Sequence, residues 1–141
     1  MKITDKDCQI LQHIVRYCNE VEATVSVLGK NKHEFMKDFI YCNAVSMPIQ
    51  QIGELAKHLS DDFVNETSQI PWKAIKGMRT IFAHGYLGMN REEIWETAQH
   101  DIPKLSFMCQ EIMKDNQIEI PEPKAVDPKY NYAGTGDETG R

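Results

Sequence analysis

Apolar residues recur at spacings of three and four along most of the chain, which is typical of helices that bury one face. The first series runs from Ile10 to Leu28 and begins after Thr4, an N-cap residue with Asp7 in the capping-box position three residues later. Gly29 follows the series, and we expect a left-handed helix end there. The pattern therefore predicts one long first helix.

A second helix is predicted to begin at Asn31, with an apolar series over residues 35–59. Pro48 lies inside this series, so we expect a kink there rather than an end. The polar stretch 60–69 that follows is predicted to be a loop.

Two more helices are predicted beyond this loop. Pro71 suits the first turn of a third helix, whose apolar side runs over residues 72–82. Asn90 and Glu93 form a capping box that opens a fourth helix, which Pro103 should bend. Strand-like alternation and internal repeats do not occur in the sequence. We therefore predict an all-α fold, an antiparallel helical bundle with kinked second and last helices.

The composition changes after Asn116. Residues 117–141 hold three prolines and three glycines and have no helical periodicity. We predict a helical domain over residues 1–116 and a mobile C-terminal tail, or partner-binding arm, over residues 117–141.

The composition excludes several classes of protein. A chain of 141 residues with 41% hydrophobic and 26% charged residues fits one soluble domain. We expect a cytoplasmic protein without a membrane partner, because apolar runs of membrane-spanning length and a signal peptide are both lacking. The four cysteines are scattered singly and are expected to be free, buried thiols. We expect neither a metal site nor a cofactor.

The charge is unevenly distributed. A net charge of −5 argues against a general nucleic-acid coat protein, because binding to many phosphates requires Lys and Arg. Residues 67–91, however, contain no Asp or Glu and carry four cations, Lys73, Lys76, Arg79 and Arg91. This basic strip indicates a local site for a phosphate-bearing substrate.

The candidate chemistry lies within this strip. His84 ends the predicted third helix five residues after Arg79, and Thr80 shares a helix face with His84. A histidine can move a proton to or from a ribose 2′-OH or a leaving oxygen near neutral pH. An arginine can hold a phosphate at two points and stabilise the charge of the transition state. Alternatively, His84 interacts with the helix dipole and Arg79 is an ordinary surface residue.

The stretch Arg79-x4-His84-x-Tyr86 resembles the R-x4-H-x-Y motif of the HepT toxins, a branch of the HEPN ribonuclease superfamily. The flanking segments resemble the same family, and together they cover most of residues 4–115: Gln51-Ile52-Gly53-Glu54, Ile70-Pro71-Trp72, Gly77-Met78-Arg79, His84-Gly85-Tyr86 and Ile94-Trp95. The resemblance implies a HEPN-like bundle of four to five antiparallel helices. It also implies a homodimer, or a higher assembly, in which two motifs meet across one cleft.

The resemblance further implies a metal-independent endoribonuclease in which the 2′-OH attacks the adjacent phosphorus. It implies a partner, a minimal nucleotidyltransferase antitoxin that adenylylates Tyr86, where AMP would compete with substrate phosphate. Glu54 matches a family carboxylate and either orients Arg79 or is an ordinary solvated residue. The family usually has Asn or Asp after the arginine, whereas this chain has Thr80.

Three functions follow from these observations. The first is an RNA-cleaving toxin in which Arg79, His84 and Thr80 are catalytic, Tyr86 is modified, and Lys76 helps to attract RNA. The second is a catalytically weak or inert dimeric helical module that binds a nucleotidyltransferase partner. The third is a helical nucleotide-binding protein without an RNA substrate.

Overall fold

The computed structural model of the chain describes residues 1–80, 90–127 and 129. Every regular element within these residues is helical, which confirms the predicted all-α bundle. The elements are α1 (Asp5–Leu28), α2 (Lys32–Lys37), α3 (Phe39–Ala56), α4 (Asp61–Glu66), α5 (Trp72–Gly77), a 3₁₀ turn (Met78–Thr80), α6 (Arg91–Glu96), a π-helical turn (Thr97–Asp101) and α7 (Ile102–Asp115). No helix in these ranges is both long and apolar enough to span a membrane.

Helix α1 begins and ends where the sequence predicted. The Thr4 hydroxyl oxygen accepts a hydrogen bond from the Asp7 amide at 3.1 Å. At the other end, Gly29 has a φ of 97°, and its N–H donates to the Val25 carbonyl. The Asp7 carboxylate was expected to complete a capping box, but it is buried and accepts from the backbone N–H and the hydroxyl of Ser60, at 2.9 and 2.6 Å. It therefore links α1 to the start of α4.

The predicted second helix is divided at Asp38, which ends α2 and caps α3. Its backbone is extended, and its carboxylate accepts from the N–H groups of Ile40 and Tyr41 at 2.9 and 3.3 Å. A capping carboxylate satisfies first-turn N–H groups and so favours a new helix start. The sequence predicted a kink at Pro48, and the chain is helical on both sides of this residue.

Helix α4 was predicted to be a loop, and that prediction is wrong. The Ser60 hydroxyl oxygen accepts from the Phe63 N–H at 3.2 Å, and Asp61 and Asp62 lie in the first turn. Acidic side chains there interact favourably with the helix dipole. An N-cap serine followed by two acidic residues was the sequence signal for this short helix.

The predicted last helix contains a π-helical turn. It opens with the predicted capping box, in which Asn90 accepts from the Glu93 N–H at 2.8 Å and Glu93 accepts from the Asn90 N–H at 3.2 Å. The π-helical turn then widens the helix over residues 97–101, just before Pro103 in the first turn of α7. Proline has no N–H for the carbonyl four residues earlier, which accounts for the changed hydrogen bonding there.

The core lies where α1 packs on α3 and α7. Each of these helices contributes fully buried apolar side chains, among them Leu11, Ile14, Val15 and Val21 from α1, Val45, Ile49 and Ile52 from α3, and Ile102, Leu105 and Met113 from α7. The rings of Phe35, Tyr41 and Trp95 pack together beside this core, with centroids 5.0 to 6.2 Å apart.

Residues 117–127 and 129 are the described part of the predicted tail, and residues 119–122 of it lie along α1. The side-chain amides of Gln12 and Asn19, two helical turns apart, donate to the carbonyls of Glu119 and Glu122, both at 3.1 Å. Two backbone carbonyls are thus held by one face of α1. The predicted domain boundary after residue 116 remains a prediction.

Candidate functional site

The segment that carries Arg79 is anchored at its start by buried hydrogen bonds. The indole N–H of Trp72, the first residue of α5, donates to the Thr67 hydroxyl at 2.8 Å. That hydroxyl donates in turn to the Phe63 carbonyl at 2.7 Å. The rings of Phe63 and Trp72 also pack together, with centroids 6.0 Å apart. These contacts fix α5 against α4.

The three residues of the 3₁₀ turn at the end of α5 differ in burial. Met78 enters the core, Arg79 is exposed and Thr80 is half-buried. The Thr80 hydroxyl donates to the Gly77 carbonyl at 2.8 Å, which satisfies a carbonyl at the helix end. Its proton is therefore used within the turn, whereas its oxygen lone pairs can still accept.

The backbone of this turn lies directly against α3 at Gly53. A Cβ built on Gly53 would lie 2.8 Å from the Met78 carbonyl carbon and 3.0 Å from the Arg79 Cα. The backbone nitrogen of Arg79 would lie even closer to this Cβ. Gly53 belongs to a segment that resembles the family, and no role was predicted for it. Its signal was a glycine inside a helical pattern, which indicates close backbone approach.

Glu54, the next residue on α3, was predicted to orient Arg79. Its carboxylate lies 3.5 Å from the Lys57 ammonium, and the side chain is 41% exposed. Within residues 1–80 and 90–127, the Arg79 guanidinium makes no ion pair or side-chain hydrogen bond with Glu54 or with any other residue. The structure therefore does not bring this carboxylate onto the arginine.

The basic strip is divided between two roles. Arg91 donates to the Met36 carbonyl at 2.8 Å, so its guanidinium binds the C-terminal end of α2. Lys73, Lys76 and Arg79 form no ion pairs with the described part of the chain. Lys76 lies in the last turn of α5, three residues before Arg79. Three cations without acidic partners thus lie along one short segment, which favours an anion there.

The ion pair that flanks the other end of the strip is exposed. The Lys32 ammonium lies 2.8 Å from a Glu92 carboxylate oxygen and joins α2 to α6. This hydrogen bond raises the pKa of Lys32 and lowers that of Glu92. Since both side chains are solvated, the pair contributes little to stability.

His84 and Tyr86 lie outside the described residues. They belong to the segment 81–89, between the 3₁₀ turn and the cap residue Asn90. The distances of His84 from Arg79 and Thr80 therefore remain sequence predictions, as does the position of the tyrosine hydroxyl.

The cysteines are free as predicted, but Cys8 is only partly buried, contrary to the prediction. All four are free, and Cys18, Cys42 and Cys109 are buried. Burial raises the pKa of Cys109 to about 12, so this thiol stays protonated at neutral pH. Grouped His, Cys, Asp or Glu side chains that could hold a metal ion do not occur within residues 1–80, 90–127 and 129.

Comparison with known proteins identifies the family. A family model described as "Ribonuclease HepT-like" matches residues 10–112, which is more than half of the chain. The chain belongs to the HepT-like family. This assignment confirms the resemblance drawn from the Arg79–Tyr86 motif.

Individual relatives carry names of the same kind. A Caldanaerobacter subterraneus protein named "Putative RNase" is 36% identical over 74% of this chain and 91% of its own length. A Methanocaldococcus jannaschii protein of the same name is 38% identical over 58% of this chain and 68% of its own length. The "Probable ribonuclease HepT" of Thermococcus cleftensis is 25% identical over 70% of this chain and 94% of its own length. No solved structure matches. Family membership thus supports ribonuclease activity in general.

Proposed function

We propose that this HepT-like protein is a metal-independent endoribonuclease of a HEPN and minimal-nucleotidyltransferase toxin–antitoxin system that acts in the cytoplasm. The observation that carries the proposal is the Arg79 guanidinium, which is exposed and lacks an ion pair with described residues, in a segment without acids. An unpaired arginine is suited to two-point binding of a phosphate. Arg79 is also the first residue of the family motif.

The proposed reaction divides the work between the two motif residues. His84 takes the proton from a ribose 2′-OH or gives one to the leaving 5′-oxygen. The 2′-oxygen forms a bond to phosphorus while the bond from phosphorus to the 5′-oxygen breaks. The products are a 2′,3′-cyclic phosphate and a 5′-OH. Arg79 stabilises the additional negative charge on the phosphoryl oxygens in the transition state.

The neighbouring residues have supporting roles in this proposal. Thr80 holds the turn that carries Arg79 through its hydrogen bond to the Gly77 carbonyl. Lys76, with Lys73, attracts the RNA backbone, so we expect binding to weaken as the salt concentration rises. Glu54 takes no part in the proposed reaction, since its carboxylate lies against Lys57.

Regulation in this proposal acts through Tyr86. A nucleotidyltransferase partner transfers AMP to its hydroxyl, which places negative charge and bulk where substrate phosphate would bind. The protein acts as a homodimer in which two motifs face one cleft. Incubation with the partner and ATP should add AMP units to wild-type protein and none to Tyr86→Phe, as read by mass spectrometry. Equal labelling of both proteins would show that another residue is modified.

The nuclease proposal is tested with two matched RNAs in EDTA. One is unmodified, and the other has the same sequence with every 2′-OH methylated. We expect cleavage of the unmodified RNA alone, with cyclic phosphate ends. Cleavage of both RNAs, or activity abolished by EDTA, would refute attack by the 2′-OH without metal.

A second candidate function is the inert interaction module. Phe39 and Ile40 in the first turn of α3 are 63% and 64% exposed, and Met47 lies further along the same helix with about half its surface exposed. Large exposed apolar side chains are typical of surfaces that bind proteins. Wild-type protein that binds the nucleotidyltransferase but cleaves no RNA would favour this function.

A further inference from the structure

We infer that Gly53 is a positioning residue for Arg79, because its lack of a side chain lets the backbone of α3 support the turn that carries the arginine. The inference rests on the proposed catalytic role of Arg79. Gly53 itself touches neither substrate nor reacting atoms in this account. It acts through the contact between two backbones.

The contact leaves no room for a methyl group. A Cβ at residue 53 would lie 2.8 Å from the Met78 carbonyl carbon and 3.0 Å from the Arg79 Cα, whereas ordinary contacts begin at 3.4 Å. The atoms in the way belong to the backbone, so they cannot rotate aside as a flexible side chain would. Alanine at this position therefore requires the turn to move by at least about half an ångström.

The turn is restrained on its other sides. The Met78 side chain is buried in the core, and the Thr80 hydroxyl is bonded to the Gly77 carbonyl. A displaced turn would carry the Cα of Arg79 with it, since Arg79 lies between these two residues. Glycine is a poor helix former in comparison with alanine, so nothing in the local structure of α3 favours it. The close approach to Met78 and Arg79 accounts for its presence.

Displacement of the Arg79 turn should lower the rate of RNA cleavage. A misplacement of about 1 Å in a catalytic site can reduce the rate on the order of 10²-fold. We expect Gly53→Ala to reduce the single-turnover rate of RNA cleavage by about that factor. The matched control is Gly77→Ala, because a Cβ on Gly77 would meet no atom of the described residues within 4 Å and the carbonyl bonded by Thr80 is kept. Gly77→Ala should cleave within about twofold of wild type.

A double-mutant cycle separates positioning from general damage. Cleavage rates are compared for wild type, Gly53→Ala, Arg79→Ala and the variant with both changes, with enzyme in excess. If Gly53 acts through Arg79, adding Gly53→Ala to Arg79→Ala should change the rate less than about threefold. The same factor of about 10² in both backgrounds would overturn the inference, because it would show damage that is independent of Arg79.

Nuclear magnetic resonance tests the contact without relying on cleavage. In wild-type protein, an α-hydrogen of Gly53 should give a nuclear Overhauser cross-peak to the Arg79 amide hydrogen. Gly53→Ala should shift the Arg79 amide resonance and leave the indole resonance of Trp95 in place, whereas Gly77→Ala should cause a much smaller Arg79 shift. A missing wild-type cross-peak, or an unshifted Arg79 amide in Gly53→Ala, would overturn the inference. Wild-type protein that shows the cross-peak and cleaves no RNA would refute the proposed function alone.

Discussion

The anchoring of α5 depends on a single buried hydroxyl, that of Thr67, which is 1% exposed. It accepts a hydrogen bond from the Trp72 indole and donates one to the Phe63 carbonyl. Thr67→Val replaces this hydroxyl by a methyl group of nearly the same size. Thr67→Ser keeps the hydroxyl and removes the existing methyl group. The two variants therefore separate hydrogen bonding from packing.

The expected magnitudes follow from the groups that lose partners. The Phe63 carbonyl also accepts a hydrogen bond from the Thr67 backbone N–H at 3.0 Å, and Thr67→Val retains this bond. In that variant only the Trp72 indole N–H therefore loses its partner. An unpaired buried donor costs about 1–3 kcal/mol. We expect Thr67→Val to lower the free energy of unfolding by about 2 kcal/mol and Thr67→Ser by about 1 kcal/mol, for one buried methyl group. The corresponding losses in Tm are about 8 and about 4 °C.

Urea denaturation followed by circular dichroism measures both variants against wild type. The far-ultraviolet signal reports the whole helical bundle, and the thermal midpoint gives an independent ranking. A Thr67→Val variant as stable as Thr67→Ser, or more stable, would refute the argument that the indole hydrogen bond anchors α5.

Two further variants test the helix cap at Gly29 and the predicted carboxylate of the site. Tyr41 donates to the Gly29 carbonyl at 2.7 Å, and burial raises its pKa to about 12 in the folded protein. Because the unfolded chain loses the Tyr41 hydroxyl proton at lower pH, the free energy of unfolding should fall as pH rises from about 10 to about 12. The urea midpoint of Tyr41→Phe should fall less steeply over this range than that of wild type. The same pH dependence in both proteins would contradict this reasoning. Glu54→Gln should change cleavage less than about threefold and stability by less than about 0.5 kcal/mol, because the carboxylate pairs with Lys57 at the surface. A tenfold loss of cleavage would indicate that Glu54 reaches Arg79 when RNA is bound.

Local sequence signals predicted much of the helical order. Thr4 and Asn90 accept hydrogen bonds as helix caps, and Gly29 ends α1 with a positive φ, as their residue types indicate. These signals succeed because a cap involves only residues three or four positions away. The motif at Arg79 was identified in the same way, by residue type and spacing, and the family comparison supports it.

Contacts between distant segments were not predictable in this way. The Asp7 carboxylate could have bonded its own helix end, yet it accepts from Ser60, which is 53 residues away. Asp38 could have continued the second helix, yet it divides it. Gly53 has no side chain to suggest a role, and only the position of the Arg79 turn shows why a methyl group is excluded. In each case the deciding neighbour is known only once the chain has folded.

The central claim, that Arg79 and His84 cleave RNA, is tested most directly by single-turnover cleavage rates in EDTA. Arg79→Ala and His84→Ala are compared with wild type and with Arg16→Ala and His33→Ala, which remove the same side chains from exposed positions on α1 and α2. We predict that each motif variant loses at least about 10²-fold in rate while the controls stay within about twofold. Motif variants that cleave at the wild-type rate would contradict the claim.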